Sequence, residues 1–444
     1  RIDAETTLED RQRRAEIERL DTEISTLIYA PGVDGKTAEL DILRDHREQL
    51  ERALAEANPA ALQPVDYQTL CASLPDDTAL VDFVRIVQSY EAFVVRGGDC
   101  GSPQRVHYPD ALPLEEALVE YRQLLASTDV NPERLQRRGE RVSEAILGPL
   151  LPLISDRRQL IISPDHVVGA VSFGSLPHDG GYALEKWTIS YSDFPGDLLL
   201  EHEKPHRTSL VVGGVKYGPP GPEACSELSL RDLPYTIVES QRLATQLQKA
   251  RWHPSLVRGP NATEDQISAL APESGVLHFA SHGFVLSDGC IDALSGQASG
   301  AHLADLYPLA LSGLALAPSD ANDGIWTAAE VGSLDLRRTE LVVLSSCDSG
   351  MGISYSREGI LGLRSAFSGA GAHQILMSLW PIQDESTVTL MEAFYDRYLQ
   401  RRDGLPAPEA LRQAQLEALN ANRDSYGEAR PQQWGAFIVT ATGS

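Results

Sequence analysis

This chain of 444 residues has no stretch near the roughly 18 uninterrupted apolar residues of a membrane-spanning helix, and its longest apolar runs are strand-sized. A helical membrane protein is thereby excluded. Positive charge is in short supply, and a formal net charge of -25 repels nucleic acid, whose binding needs clustered Lys and Arg to displace counterions. The five Cys (Cys71, Cys100, Cys225, Cys290, Cys347) are odd in number and show no CxxC spacing. That argues against a disulfide framework or a zinc ribbon and fits a reducing, cytoplasmic setting. An initiating Met and a signal-like apolar core are both absent from RIDAETTLEDRQRR, so the chain reads as a fragment with a segment upstream. What remains is average for a globular protein, 42% hydrophobic and 23% charged, and long enough for two or three domains. Protein partners fit the acidity, as does simple solubility.

Residues 3–30 and 36–57 carry Leu, Ile and Ala at helical spacing, with Pro and Gly in the break between them, which predicts a helical hairpin over 1–58. Asn58-Pro59 ends it, and 59–75 reads as a linker. The runs TALVDFVRIV, EAFVVR and QLIIS, with helical stretches near 112–126 and 132–150, predict a mixed α/β block over 76–200. From 207 to 444, strands and helices alternate: SLVVGGV, a helix near 234–249, VLHFAS, LALSGLAL, ELVVLSS, a helix near 359–369, HQILMSLW, two further helices and AFIVTA. Near-continuous apolar strands between helices predict an α/β fold on a mostly parallel sheet covered on both faces.

Reactive groups of such sheets gather beyond the carboxyl ends of the strands. VLHFAS runs into His282-Gly283, and LVVLSS runs into Cys347-Asp348-Ser349-Gly350. Side by side, the two strands would bring a base to a thiol, and a thiol becomes a strong nucleophile once an imidazole takes its proton. Gly283 can turn its N–H toward a carbonyl oxygen and, with that of Cys347, form an oxyanion hole. The competing reading of Cys347 is a buried, inert strand-end thiol. His278 and His282 stand four apart on a strand, roughly 13 Å, too far to share an ion, and HFASH lacks the Glu of HExxH. No metal and no cofactor are expected, and His278 reads as a packed or hydrogen-bonded residue.

The ordered strings LHFASHG, DGIWTAAEV, LVVLSSCDSGMG, EGILGLRSAFSGAGAHQILMSLWPIQDESTVTLMEAFYDRYL and PQQWGAFIVTA resemble the CHAT domain, a family of peptidases related to caspases and separase and often found after tetratricopeptide repeats. PDDTALVDFVRI, YEAFVV and QLIISPDHVVGAVSFGSLPH extend the resemblance to about residues 65–444. It implies a caspase-like fold in two tandem units, an inactive one over 76–200 and an active one over 207–444, with the 1–58 hairpin as a connector to upstream sensor repeats. His282 falls on the family's catalytic His and Cys347 on its catalytic Cys. SSCDSG stands where many relatives read SACDTG, a small-for-small change. The two residues are further apart in sequence than the roughly 50 positions usual in caspases. A surface loop over 287–323, rich in Gly, Ala and Ser, is expected to absorb the excess.

For substrate binding, Asp348 and Asp384 are candidates to receive a basic P1 side chain, with Glu385 beside Asp384. Asp384 and Glu385 serve equally as helix N-terminal residues. Trp380 is a candidate pocket wall or a core plug, and Glu358 a helix cap or a substrate-positioning residue. The implied function is a cysteine endopeptidase that cleaves a protein or peptide substrate through an acyl-enzyme, governed by a regulatory partner or ligand bound upstream, with no nucleic acid or membrane contacted. A catalytically silent interaction module and a thiol acyl transferase are the alternatives.

Overall fold

The structure is a computed structural model that describes residues 8–29, 36–57, 65–127, 129–219, 221, 225–287, 289–291, 308–320, 322–345, 359–382, 384–400 and 404–440. The chain divides into two compact units. One comprises Arg1–Pro64, Glu203–Ala244 and Trp252–Ile375; the other comprises Val65–His202, Thr245–Arg251 and Leu376–Ser444.

The first unit opens with helices α1 (Leu8–Tyr29) and α2 (Lys36–Ala57). Ile17, Leu20, Ile24 and Ile28 recur every three or four residues on α1 and are buried, the stripe that helical periodicity demands. An Arg47–Asp21 ion pair ties α2 to α1.

The second unit holds a mixed sheet of β1 (Thr78–Ile86), β2 (Ser89–Arg96), β3 (Asp99–Tyr108), β4 (Gln159–Ser163) and, beyond the small hairpin of β5 (Pro177–His178) and β6 (Gly181–Tyr182), β7 (Thr188–Tyr191). Its order is β3-β2-β1-β4-β7, with β1, β2 and β3 antiparallel and β1, β4 and β7 parallel. Tight turns after Ile86 and Arg96 return the chain antiparallel, whereas a parallel neighbour needs a long crossover. Here the helices Ala111–Ala126 and Pro132–Ile146 occupy the crossover from β3 to β4. The stretch read as a linker contains the helix Tyr67–Ser73; the side chain of Asp66 caps it by accepting from Thr69 N.

The first unit's main sheet is parallel throughout its core: β8 (Thr208–Val215), β9 (His253–Gly259), β10 (Val276–Ala280) and β14 (Leu341–Leu344) lie in the order β14-β10-β8-β9. Every residue of β10 and β14 is buried, as both-face coverage requires. A small antiparallel sheet of β11 (Gly283–Val285), β12 (Ser312–Ala315) and β13 (Ile325–Thr327) leaves the end of β10. Because β12 is wholly buried, the 287–323 segment is not the continuous surface loop expected from its composition. In the second unit, β15 (Gln374–Ser378) pairs antiparallel with β16 (Phe437–Val439) from Leu376 onward, and Thr440 bridges to Tyr191.

The cysteines are the sharpest correction. Cys71 is bonded to Cys100 and Cys225 to Cys290, which leaves Cys347 as the one Cys outside these pairs. Spacing in sequence carries no signal for such bridges, since their partners meet only in the fold. Cysteine usage therefore offers no ground for a reducing compartment. No helix among the described residues is long and apolar enough to cross a membrane.

Candidate active site

β10 lies between β8 and β14, with Val276 opposite both Ser209 and Leu341 and Phe279 opposite both Val212 and Leu344. Under its carboxyl end, Phe279, Trp326 and Phe367 form an aromatic cluster with ring centroids 5.6–6.1 Å apart. Just past that end stands His282, 3% exposed. Its carbonyl accepts from Ala315 N at 2.8 Å, which fixes the backbone against the start of the small sheet. Gly283 follows as the first residue of β11, half-buried and opposite Leu314.

The imidazole is oriented by a group that the sequence does not advertise. Nε2 of His282 lies 2.7 Å from the carbonyl oxygen of Arg231. A carbonyl can only accept, so Nε2 carries the proton, and in the neutral ring Nδ1 then holds the lone pair. Nδ1 is therefore the proton-accepting atom. A backbone carbonyl in this role leaves no residue-type signature.

Ser345, at the end of β14, is buried and donates its N–H to Phe279 O at 3.1 Å. The two strand ends that lead to His282 and toward Cys347 are thus hydrogen-bonded neighbours. Cys347 itself, Asp348 and Glu358 lie outside the described residues. Trp380 and Asp384 belong to the other unit. Trp380 is 1% exposed and donates Nε1 to Gln432 O at 3.1 Å, the setting of a core residue. Asp384 begins the helix Asp384–Tyr398, and Glu385 beside it is exposed. His278 is fully buried with Nε2 3.1 Å from Glu239 Oε1, so it packs inside as its strand position implied. Among the described residues no group of three or more His, Cys, Asp or Glu is arranged to hold a metal ion.

The α1 and α2 helices share a core with the segment around Gly283: Ile24, Ile28 and Leu40 cluster with Phe284, Leu286, Ile291, Leu311 and the Cys225–Cys290 pair. At about 1.5–3 kcal/mol per fully buried aliphatic side chain, three such residues anchor the helices firmly. Tyr29 adds an edge contact to Phe284, at 6.3 Å between centroids, and donates its hydroxyl to Ala310 O at 2.8 Å.

Beneath β13 sits an acidic group. Glu264 accepts from Gly324 N at 2.9 Å and bonds Asp323, while Glu330 accepts from Thr327 N and Oγ1 and bonds Thr22 of α1. Burial, reinforced by the neighbouring carboxylates, pushes Glu264 up to about 8 and Glu330 up to about 7. Glu264 therefore holds a proton at pH 7 and can donate it to Asp323.

A family model described as the CHAT domain matches residues 136–444, more than half of the chain. Tetratricopeptide repeat protein 28 of Homo sapiens is 27% identical over 195 residues, covering 41% of this chain and 8% of that protein. Its Mus musculus counterpart is 27% identical over 200 residues, again covering 41% and 8%. The chain thus spans less than a tenth of the curated relatives it matches. Among solved structures, a chain of the Saccharomyces cerevisiae separase–securin complex aligns over 96% of this chain and 36% of its own length, with a TM-score of 0.50 at 9% identity. The Arg-specific cysteine proteinase gingipain R aligns over 74% of each chain with a TM-score of 0.38 at 9% identity. The fold is mixed α/β, with sheets flanked by helices, and is similar to that of the chain from the separase–securin complex.

Proposed function

The chain belongs to the CHAT domain family, and we propose that it is a cysteine endopeptidase in which Cys347 is the nucleophile and His282 the general base. The observation that carries this reading is the bond from His282 Nε2 to Arg231 O, which leaves Nδ1 as the basic atom at the end of β10, beside the strand that leads to Cys347. Nδ1 takes the Cys347 proton as sulfur attacks the scissile carbonyl, and the Gly283 and Cys347 N–H groups receive the developing oxyanion. Collapse breaks the C–N bond while the imidazolium returns its proton to the leaving amine. Water, deprotonated by the same nitrogen, then releases the acyl group and restores the thiol.

Asp348 is proposed to receive a basic P1 side chain. The tetratricopeptide repeat proteins among the relatives support control by a protein or ligand bound to a region upstream, with α1 and α2 as the connector. A fluorogenic peptide panel tests the reading with wild type, Cys347→Ala and His282→Ala. Cleavage by wild type alone is the expected result, and equal cleavage by all three would overturn it. Product analysis separates hydrolysis from ligation to an added amine, the outcome for an acyl transferase.

A further inference from the structure

We propose that Tyr217 is a positioning residue for the His282 imidazole, an inference that rests on His282 being the base. Tyr217 lies just beyond the carboxyl end of β8, the strand beside β10. It is 8% exposed, and its ring centroid is 5.0 Å from that of His282 with the planes inclined at 51°. Its hydroxyl accepts from the backbone N of His282 at 3.3 Å. Tyr217 therefore packs against both the imidazole and the backbone that carries it.

The chain reaches this position through a built feature. Gly213-Gly214 ends the regular part of β8, Gly214 has φ +60°, and the pairing with β9 shifts register between Gly213 and Val215. That is a bulge, which re-aims the residues after it. Both glycines are needed: a Cβ on Gly213 would lie 2.6 Å from Thr236 O, and one on Gly214 2.5 Å from Ile237 Cγ1. Gly214 N also donates to Thr236 Oγ1 at 2.8 Å, so the start of the helix Pro234–Lys249 closes against the bulge. Tyr217 and Arg231 thus sit near the two ends of one segment that leaves β8 and returns at this helix.

From these ends the segment brackets the ring. Arg231 O bonds Nε2, and the Tyr217 ring packs against the imidazole at 5.0 Å between centroids. The Arg231 carbonyl holds Nε2, and the large, buried Tyr217 ring packed against the imidazole limits its rotation and keeps Nδ1 aimed in a single direction. Orientation of this kind acts on the chemical step, and a misplacement of about 1 Å can cost on the order of 100-fold.

The test uses the whole chain with Tyr217→Phe, Tyr217→Leu and His282→Ala. Long-range proton–nitrogen spectra of labelled histidine should show one Nε2–H tautomer for His282 in wild type and Tyr217→Phe, and a mixture in Tyr217→Leu. Against the best panel peptide, Tyr217→Leu should lower kcat roughly 10- to 100-fold with KM changed less than about 2-fold, and Tyr217→Phe should recover to within about 3-fold of wild type. Where Tyr217→Leu does not fold, Tyr217→His and Tyr217→Met replace it, with the aromatic variant expected to keep the single tautomer. A single tautomer and unchanged kcat in a folded non-aromatic variant would sink the proposal. A wild type whose peptide cleavage ignores His282→Ala would instead sink the peptidase reading, while the tautomer spectra still decide what Tyr217 does to the ring.

Discussion

Replacing Glu264 by Gln should make the chain more stable at alkaline pH while leaving it nearly unchanged below about pH 4.5. Glu264 is 5% exposed and is pushed from 4.5 to about 8, chiefly by burial. The folded chain therefore holds this proton more tightly than the unfolded chain does. The stability it contributes is complete below about pH 4.5 and is lost as pH climbs through about 8. Between pH 6 and 9 the wild type loses at most about 3 kcal/mol through this group, at ~1.36 kcal/mol per pH unit below its folded value. Asp323 beside it lies at the solvent rim, and water there should cut the loss to about 1.5 kcal/mol. Gln keeps both hydrogen bonds, its carbonyl accepting from Gly324 N and its amide donating to Asp323, and has no proton to lose. Scanning calorimetry from pH 6 to 9 should show the variant's Tm gaining on that of wild type by roughly 3–6 °C. Parallel Tm curves would show that the carboxyl is charged and hydrated throughout, and the argument from burial would fail.

Thiol titration of the unreduced native chain should find one reactive sulfhydryl, rising to five after reduction in denaturant; more than one at the start would disprove the two pairings. Paired Cys225→Ser and Cys290→Ser substitutions, which open a link between residues 65 positions apart, should cost about 4 kcal/mol in chemical denaturation on chain-entropy grounds. Gly213→Ala drives a Cβ against the Thr236 carbonyl and should cost about 2 kcal/mol or more while lowering peptide cleavage, because the bulge that places Tyr217 is disturbed. Tyr29→Phe leaves the Ala310 carbonyl without its donor and should cost about 1 kcal/mol by urea unfolding; no change would mean that α1 is not held where it is described.

Much of the first unit's sheet could be read directly. VLHFA and LVVL are uninterrupted apolar runs because both faces of their sheet are covered, and that environment leaves its mark on every residue. The antiparallel turn from β1 to β2 was less legible, since Val87 takes a positive φ that no β-branched residue advertises. The helix Tyr67–Ser73 was hidden because seven residues give too little periodicity to outweigh the prolines around them.

For the site, the sequence by itself determined which residues have the chemistry: a His at one strand end, a Cys beyond another, and a Gly beside the His. Residue type and strand-end position are local properties, so they survive in the one-dimensional string. Only the tertiary structure decided that β10 and β14 are neighbours, that Arg231 lends a carbonyl from 51 residues away, that Tyr217 packs against the ring, and that four cysteines pair. Backbone atoms are the same at every position, and disulfide partners depend on approach in space. The nitrogen of His282 that can take a proton is therefore a fact about the fold, while its being a histidine is a fact about the sequence.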